Sequence, residues 1–259
     1  MNILFIGDIF GEIGREMVSD YLPRVKNKYH ADFVIGNGEN ASHGKGLLKK
    51  HYDELLFSGV SMITMGNHTY AKKEIFDYID EADRLIVPYN KPKALPGTGS
   101  RVIVLKGKKI RITNLLGITF MDGHAQNPFE SIQDILESDE SDIHIIDFHG
   151  EATSDKLAFG YYVDGKVAAV LGTHTHVATA DERILPKGTA FQCDVGMTGP
   201  YNSVIGCEAE PIIERNIKGI MTPFRVAEAP GQFLATLLCF DDNKVKEIKR
   251  IRIDPDHPL

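Results

Sequence analysis

Short apolar runs that end in glycine and polar residues recur along the chain. They occur at Ile3–Ile6, Phe33–Ile35, Met62–Met65, Ile143–Phe148 and Val167–Leu171. Runs of this kind, rich in β-branched residues and without strict alternation, are typical of strands buried on both faces. The pattern therefore predicts five buried strands, each of which leads directly into a polar loop.

Segments with helical periodicity separate the first three of these strands. Glu12–Lys28 carries apolar residues at helical spacing, and Leu47–Phe57 and Lys72–Ile79 are shorter segments of the same kind. Strands that alternate with helices predict βαβ units and a largely parallel sheet. Two further runs, Arg101–Leu105 and Ile110–Leu115, predict a hairpin.

The rest of the chain predicts more strands and one irregular connection. The runs Phe191–Val195, Phe233–Phe240 and Val245–Ile253 indicate a strand-rich C-terminal third. The Pro- and Gly-containing segment Tyr89–Ser100 predicts a loop that joins two halves of the molecule. Because no sharp change in composition accompanies it, we expect one α/β domain spanning residues 1–259, with two sheets or one large mixed sheet.

Composition and charge narrow the class of protein. Hydrophobic residues make up 42% and charged residues 25% of the 259 residues, as in ordinary globular proteins. A net charge of −7 argues against extended nucleic-acid binding, which needs a basic surface. Three scattered cysteines predict no disulfide framework, and no apolar run is long enough for a membrane helix. With no basic leader segment at the N-terminus, these features predict a cytoplasmic protein.

The polar residues that follow the five strands are all oxygen or imidazole donors. Ligand sites in open α/β sheets lie beyond the carboxyl ends of the strands, so these side chains are expected to converge. Such donors bind hard and borderline divalent metals, and their number suits two ions better than one tetrahedral zinc. The residues are Asp8, Glu39, Asn40, Asn67, His68, His149, His174 and His176.

Each of these residues has an ordinary structural explanation when it is considered alone. An aspartate such as Asp8 commonly caps a helix, and Asn67 could serve a turn. The pair His174 and His176 is more specific, because residues i and i+2 of an extended chain point to the same side. The repetition of metal-competent residues after five strands favours a metal site.

The order of these motifs resembles that of the calcineurin-like metallophosphoesterases. The chain has GD, GEN and GNH, then a later histidine, and finally GTHTH, between Asp8 and His176. Phe10 stands where most members have a histidine ligand, and Glu39 stands where they have an aspartate. These departures, together with the segments ENASHGKG, DFHGE and VGMTGP, are similar to the YmdB-type branch of that superfamily.

The resemblance implies a fold, an activity and a cofactor. The fold is a layered α/β/β/α sandwich, in which helices flank two mixed β-sheets. The activity is metal-dependent hydrolysis of small phosphodiesters, with 2′,3′-cyclic nucleotides as the expected substrates. The cofactors are two divalent ions, for which iron or manganese is expected and zinc is the alternative.

The resemblance also assigns roles to the residues at the strand ends. One ion would be held by Asp8, Asn40 and His176, and the other by Asn67, His149 and His174. Glu39 would bridge the two ions, and Asn40 would replace the ligand missing at position 10. His68 would protonate the leaving oxygen after a metal-activated hydroxide attacks phosphorus.

Two other functions stay open at this point. The same ions would serve a phosphomonoesterase or protein phosphatase, and a regulatory nucleotide- or RNA-binding protein could retain them without turnover. The loop Ser42–Gly46, which follows Glu39, could offer backbone N–H groups or a cation to the substrate, or could be a plain turn. The strand-rich C-terminal third also leads us to expect a homo-oligomer.

Overall fold

The chain is described by a computed structural model over residues 1–121, 124–219 and 223–259. Five α-helices and fourteen strands occur in these ranges, with one 3₁₀ helix at Lys73–Asp77. The helices are α1 (Gly11–Tyr29), α2 (Lys49–Phe57), α3 (Pro128–Leu136), α4 (Thr153–Tyr162) and α5 (Ala209–Lys218). The strands are β1 (Asn2–Ile6), β2 (Asp8–Ile9), β3 (Phe33–Asn37), β4 (Met62–Thr64), β5 (Leu85–Ile86), β6 (Ser100–Leu105), β7 (Lys108–Leu116), β8 (Ile143–His149), β9 (Ala169–Thr173), β10 (Arg183–Ile184), β11 (Ala190–Gln192), β12 (Met197–Pro200), β13 (Gly231–Asp241) and β14 (Lys244–Ile253).

These strands form two mixed sheets. The first has the order β2-β12-β13-β1-β3-β4-β5, with β14 beside β13. In it β1, β3, β4 and β5 run parallel, while β13 is antiparallel to β1. The second sheet has the order β10-β11-β9-β8-β7-β6, in which β7, β8, β9 and β11 are parallel.

Alternate residues of the strands pack into different layers. Ile3 and Phe5 of β1 point into the apolar core between the two sheets. Leu4 and Ile6 point to the other face of the first sheet, where α1 and α2 cover them. A third core, which includes Phe148 of β8, lies between the second sheet and helices α3 and α4. The layers follow the order α/β/β/α, which confirms the predicted fold class.

Most of the predicted elements are present, and two needed correction. Where the sequence predicted a helix over residues 72–79, the structure has a 3₁₀ helix at Lys73–Asp77 only. It ends at Tyr78, whose φ of −138° lies outside the helical region. The predicted strand Phe191–Val195 ends at Gln192 because the Asp194 carboxylate accepts the N–H of Gly196 at 2.8 Å, which turns the chain. The predicted hairpin is confirmed as β6 and β7.

The segment at residues 89–100 runs from the first sheet to the second, as the sequence predicted.

Among the described residues, no helix combines the length and apolarity needed to cross a bilayer. The three cysteines are free thiols. One domain over residues 1–259 stays a prediction.

Candidate metal centre

The candidate residues meet at one edge of the molecule, where parallel strands of both sheets end. Asp8 follows β1, Glu39 and Asn40 follow β3, and Asn67 and His68 follow β4. The second sheet contributes His149 at the end of β8, and His174 and His176 after β9. Because the two sheets are stacked, loops from both reach the same place, and the predicted convergence is a feature of the structure.

One group of donor atoms surrounds the Nε2 atom of His149. That nitrogen lies 2.9 Å from Asn67 Oδ1, 3.1 Å from His174 Nδ1 and 3.2 Å from Glu39 Oε1. Metal–ligand bonds of about 2.0–2.2 Å at right angles would separate neighbouring donors by about 3.0 Å. The spacing therefore fits the edges of a coordination polyhedron. Glu39, His149 and His174 also form the cluster of candidate metal ligands in the described part of the chain.

A second group of donors contains Asp8, Asn40 and His176. His176 Nε2 lies 3.3 Å from Asn40 Oδ1 and 3.9 Å from Asp8 Oδ1. Within the described residues, this Asp8 oxygen is fully buried and has no hydrogen-bond partner. Buried polar atoms are almost always paired, so an orphaned carboxylate oxygen calls for a cation. The donor set of the second group therefore also fits a bound metal.

Each of the three histidines presents one ring nitrogen to these groups and has the other held by the protein. His149 Nδ1 lies 2.8 Å from Thr173 Oγ1, and His174 Nε2 lies 3.1 Å from a carboxylate oxygen of Glu151. His176 Nδ1 lies 2.9 Å from the carbonyl oxygen of Ile205. Outer partners of this kind orient metal-binding imidazoles and fix their tautomers. The arrangement would suit three metal-binding imidazoles.

The tautomer of His149 follows from the hydrogen bonds of Thr173. The Thr173 hydroxyl donates to Asp147 Oδ1 at 2.6 Å, and it has only one proton. It therefore accepts from His149 Nδ1–H, which leaves Nε2 with a free lone pair. Asp147 is fully buried and also accepts from Asn37 Nδ2 at 3.0 Å and from the hydroxyl of Thr64. The sequence placed Asp147 near His149, and the structure shows that Thr173 connects them.

The buried charged groups of the site shift one another's pKa values. Burial raises the pKa of Asp8 to about 6. Burial lowers the pKa of His149, but the carboxylates of Glu39, Asp8 and Asp147 outweigh it and raise that pKa to about 9. For Glu39, burial raises the pKa, whereas the His149 imidazolium and the His68 N–H lower it to about 2. Metal binding through His149 Nε2 requires the neutral imidazole, so a bound cation would displace the proton that these carboxylates favour.

His68 lies beside this centre and faces a cavity of about 660 Å³. Its backbone N–H donates to Glu39 Oε2 at 2.9 Å, which fixes the position of the residue. Burial lowers the pKa of the His68 imidazole. The side chain is half-buried and lines the same cavity as Glu39 and His176.

The loop after Glu39 contributes a side chain to the cavity. The N–H of Gly44 donates to the carbonyl of Asn40 at 3.2 Å, and that of Gly46 to the carbonyl of Glu39 at 2.5 Å. The N–H of Lys45 donates to Ser42. These three backbone N–H groups are therefore engaged within the loop, which leaves a cation or a plain turn as the alternatives for this segment. The Lys45 side chain lines the cavity and supplies a cation.

Sequence reasoning did not identify a buried ion pair behind the GTHTH loop. Lys156 is fully buried, and its ammonium donates to Asp194 Oδ2 at 2.8 Å and to the carbonyl of Thr173 at 2.7 Å. The same Asp194 oxygen accepts the N–H of Thr175 at 3.0 Å. These bonds hold the segment in which His174 and His176 have positive φ angles. Asp194 lies inside the predicted strand Phe191–Val195, so the rule that located Asp8 passed over it; only the observed end of that strand at Gln192 places Asp194 after a strand.

Comparisons with known proteins identify the family of this chain. The family model described as YmdB-like protein matches residues 4–251. The 2′,3′-cyclic-nucleotide 2′-phosphodiesterase of Bacillus subtilis (strain 168) is 49% identical over 261 residues, which cover 99% of this chain and 98% of that protein. A solved structure described as a novel phosphatase from Mycoplasma pneumoniae is 40% identical, with a TM-score of 0.94 over 99% of this chain and 95% of that chain.

A more distant structure shares the fold alone. The Haemophilus influenzae NAD nucleotidase is 13% identical, with a TM-score of 0.60 over 98% of this chain and 56% of that chain. The family model spans nearly the whole sequence, and the Bacillus relative is similar from end to end. The chain therefore belongs to the YmdB-like protein family.

Proposed function

We propose that this chain is a metal-dependent phosphodiesterase that hydrolyses 2′,3′-cyclic nucleotides. One observation carries the proposal: three donor atoms lie within 2.9–3.2 Å of His149 Nε2 at the edge of a cavity. The substrate class is supported by the name of the Bacillus subtilis relative. The expected ligand positions and the cavity beside them suit a small phosphodiester.

The proposed ligands divide between two divalent ions. One ion would be held by Asp8, Asn40 and His176, and the other by Asn67, His149 and His174, with Glu39 between them. Oxygen and imidazole donors without a thiolate favour iron or manganese, with zinc as the alternative. When bound, two such ions would activate water for attack on phosphorus and neutralise charge on the phosphodiester.

The charge balance of this ligand set favours an anionic substrate. Asp8 and Glu39 are its only carboxylates, and the amide and imidazole ligands are neutral. Two divalent ions would therefore leave the centre positive, although the chain has a net charge of −7. Lys45 adds a further cation on the cavity wall. A phosphodiester anion would thus be attracted locally.

His68 is the proposed proton donor to the leaving ribose oxygen. Its imidazole lines the cavity beside the candidate ligands, while its backbone is fixed by Glu39. An alkoxide is a poor leaving group near neutral pH, so protonation by a positioned imidazole would assist its departure. A nitrophenolate is a much better leaving group and has less need of this proton.

The difference between leaving groups provides the test. Purified protein supplied with Mn²⁺ or Fe²⁺ would be assayed on 2′,3′-cyclic AMP, 3′,5′-cyclic AMP, bis(4-nitrophenyl) phosphate and 4-nitrophenyl phosphate. We expect metal-dependent turnover of 2′,3′-cyclic AMP and its loss in Glu39→Gln. His68→Ala should lower kcat on the cyclic nucleotide by roughly 100- to 10,000-fold, and by much less on the bis-aryl diester.

The exposed histidine His257, outside the cavity lining, offers a matched control as His257→Ala. Preference for the monoester would replace the proposal with a phosphatase. Metal binding without turnover of any substrate would favour a regulatory binding protein. Equal losses on both diesters in His68→Ala would refute the proton-donor role.

The cellular setting and assembly belong to the same proposal. Three free thiols agree with a reducing cytoplasm, where disulfides rarely persist. We also propose a homo-oligomer, which light scattering of the purified protein would test. A monomeric mass over the working concentration range would contradict it.

A further inference from the structure

The cavity beside the candidate metal centre has two chemically different sides. One side carries His68, Lys45 and several of the proposed ligands. The other is formed by apolar side chains, which we call the apolar wall. The apolar wall consists of Phe10, Ile205, Cys207, Ile212, Phe224 and Val226.

The apolar wall contains large hydrophobic side chains that solvent can reach. Ile205 and Phe224 are 51% and 52% exposed, although both line a cavity of about 660 Å³. Arg215 of α5 lies 5.3 Å from the centre of the Phe224 ring, which supports that ring from the helix. Cavities of roughly 300–1,000 Å³ with apolar walls and a few polar groups are typical of small-molecule sites. The wall therefore offers a surface suited to an apolar part of a ligand.

The backbone of Ile205 attaches this wall to the candidate metal centre. Val204 and Cys207 exchange backbone hydrogen bonds around Ile205 and Gly206, whose φ values are +49° and +100°. A tight turn with two positive φ angles normally uses glycine, asparagine or aspartate, and a β-branched residue is strained there. The Ile205 carbonyl nevertheless accepts from His176 Nδ1 at 2.9 Å. The turn thus holds the apolar side chain at a fixed place relative to a proposed ligand.

Phe10 makes the two sides of the cavity continuous. Its ring packs edge-on against His176, with the ring centres 5.4 Å apart. Gly44 and Gly206 approach so closely that a Cβ on either would lie 3.0 Å or less from the Phe10 ring. The ring is therefore held between two glycine backbones. A ligand whose phosphate lies at the metal centre would therefore have the apolar wall beside it, beginning with Phe10 next to His176.

We propose that the apolar wall receives the nucleobase of the substrate by stacking and burial, without reading the identity of the base. The inference rests on the proposed phosphodiesterase function and names a subsite for it. Five of the six side chains in the wall are hydrocarbons, and the Cys207 thiol is only a weak hydrogen-bond donor. Every nucleobase has an apolar face, so stacking of this kind tolerates all four.

The test compares substrates that differ only in the base. The 2′,3′-cyclic phosphates of adenosine, guanosine, cytidine and uridine would be assayed beside the 2′,3′-cyclic phosphate of 1-O-methylribose, which has no base. We expect kcat/KM for the four nucleotides to agree within about tenfold, because stacking is sequence-tolerant. The base-free compound should be poorer by roughly 5- to 150-fold.

Variants of the wall identify the residues responsible. Phe224→Ala should raise KM for all four nucleotides with little change in kcat, because stacking is equal in the ground and transition states. It should leave the base-free compound unaffected, and Phe224→Trp should restore the nucleotide KM. Phe57→Ala is the matched control, since Phe57 is 95% exposed and lies outside the cavity lining. Ile212→Ala should act in the same direction as Phe224→Ala.

A binding measurement separates this inference from the proposed function. Calorimetry would compare 3′-AMP with ribose 3-phosphate on wild-type protein and on Phe224→Ala. Tighter binding of 3′-AMP that is lost in the variant would support the subsite even if no diester were hydrolysed. Equal binding of the two ligands, or turnover of the base-free compound as fast as the nucleotides, would overturn it. A strong preference for one base would refute recognition by stacking alone.

Discussion

Replacing Thr173 with valine isolates the contribution of a hydroxyl that contacts the proposed ligand His149 through Nδ1, the ring nitrogen that does not face the candidate metal centre. Thr173 is fully buried, and its hydroxyl lies 2.6 Å from Asp147 Oδ1 and 2.8 Å from His149 Nδ1. Valine has nearly the same shape without the hydroxyl. The substitution therefore removes both hydrogen bonds while it preserves the packing of β9.

The expected loss of stability follows from the groups left behind. Each buried polar group without a partner costs about 1–3 kcal/mol. Asp147 Oδ2 would keep its bonds from Asn37 and Thr64, whereas Asp147 Oδ1 and His149 Nδ1–H would each lose the Thr173 hydroxyl. With two groups affected, we expect the free energy of unfolding of Thr173→Val to fall by about 2–6 kcal/mol.

The expected loss of metal affinity has a different cause. Without an acceptor for Nδ1–H, the His149 ring can adopt the tautomer that carries its proton on Nε2, which cannot bind metal. Loss of an outer partner typically weakens metal binding by about 10- to 100-fold. Competition for Mn²⁺ with a chromophoric chelator would measure this affinity, and urea unfolding followed by circular dichroism would measure the stability.

Two control variants make the result specific. Thr173→Ser retains the hydroxyl and should behave like the wild type in metal affinity. Thr189→Val removes another fully buried hydroxyl, which donates to the carbonyl of Val167 at 2.7 Å outside the site. It should lower stability without changing metal affinity. Wild-type Mn²⁺ affinity in Thr173→Val would refute the reasoning, because packing alone would then present His149 Nε2.

Three further predictions concern groups around the site. Lys156→Met should lower the free energy of unfolding by about 3–5 kcal/mol, because it leaves the buried Asp194 carboxylate without its counter-ion. In urea titrations, the double variant Lys156→Met/Asp194→Asn should recover part of this loss, and no recovery would contradict the pairing. Lys45→Ala should raise KM for a cyclic diester by about fivefold or less and should reduce the dependence of kcat/KM on salt concentration. An unchanged salt dependence would exclude an electrostatic role of Lys45 in attracting the substrate. Burial lowers the pKa of His51 from 6.5 to about 4. The stability that its neutral form contributes is therefore full above pH 6.5 and is lost as the pH falls to about 4. The free energy of unfolding of His51→Gln should lack this pH-dependent contribution, and the same pH dependence as the wild type would contradict the assignment.

The sequence was sufficient for the features that depend on local pattern. Continuous apolar runs predicted the parallel strands, because a strand covered on both faces has no polar side. The polar residues after those runs predicted the site, because carboxyl ends of parallel strands meet at one edge. The convergence of Asp8, Glu39 and His174 was therefore predicted without a structure, whereas their roles as metal ligands stay a prediction.

The features that only the tertiary structure decided depend on contacts between distant parts of the chain. Asn37 and Asp147 are 110 residues apart and meet only because the two sheets stack. The partnership of Thr173 with Asp147 also has no sequence signal, since threonine is common in strands and nothing marks its hydroxyl as a link.

The apolar wall was likewise invisible in the sequence. Ile205 and Phe224 read as scattered hydrophobic residues in a strand-rich third of the chain. Only folding places them opposite the strand ends of both sheets, where they line one cavity with Phe10 and His68. Periodicity reports which face of an element is buried, whereas the shape of a cavity depends on which elements become neighbours.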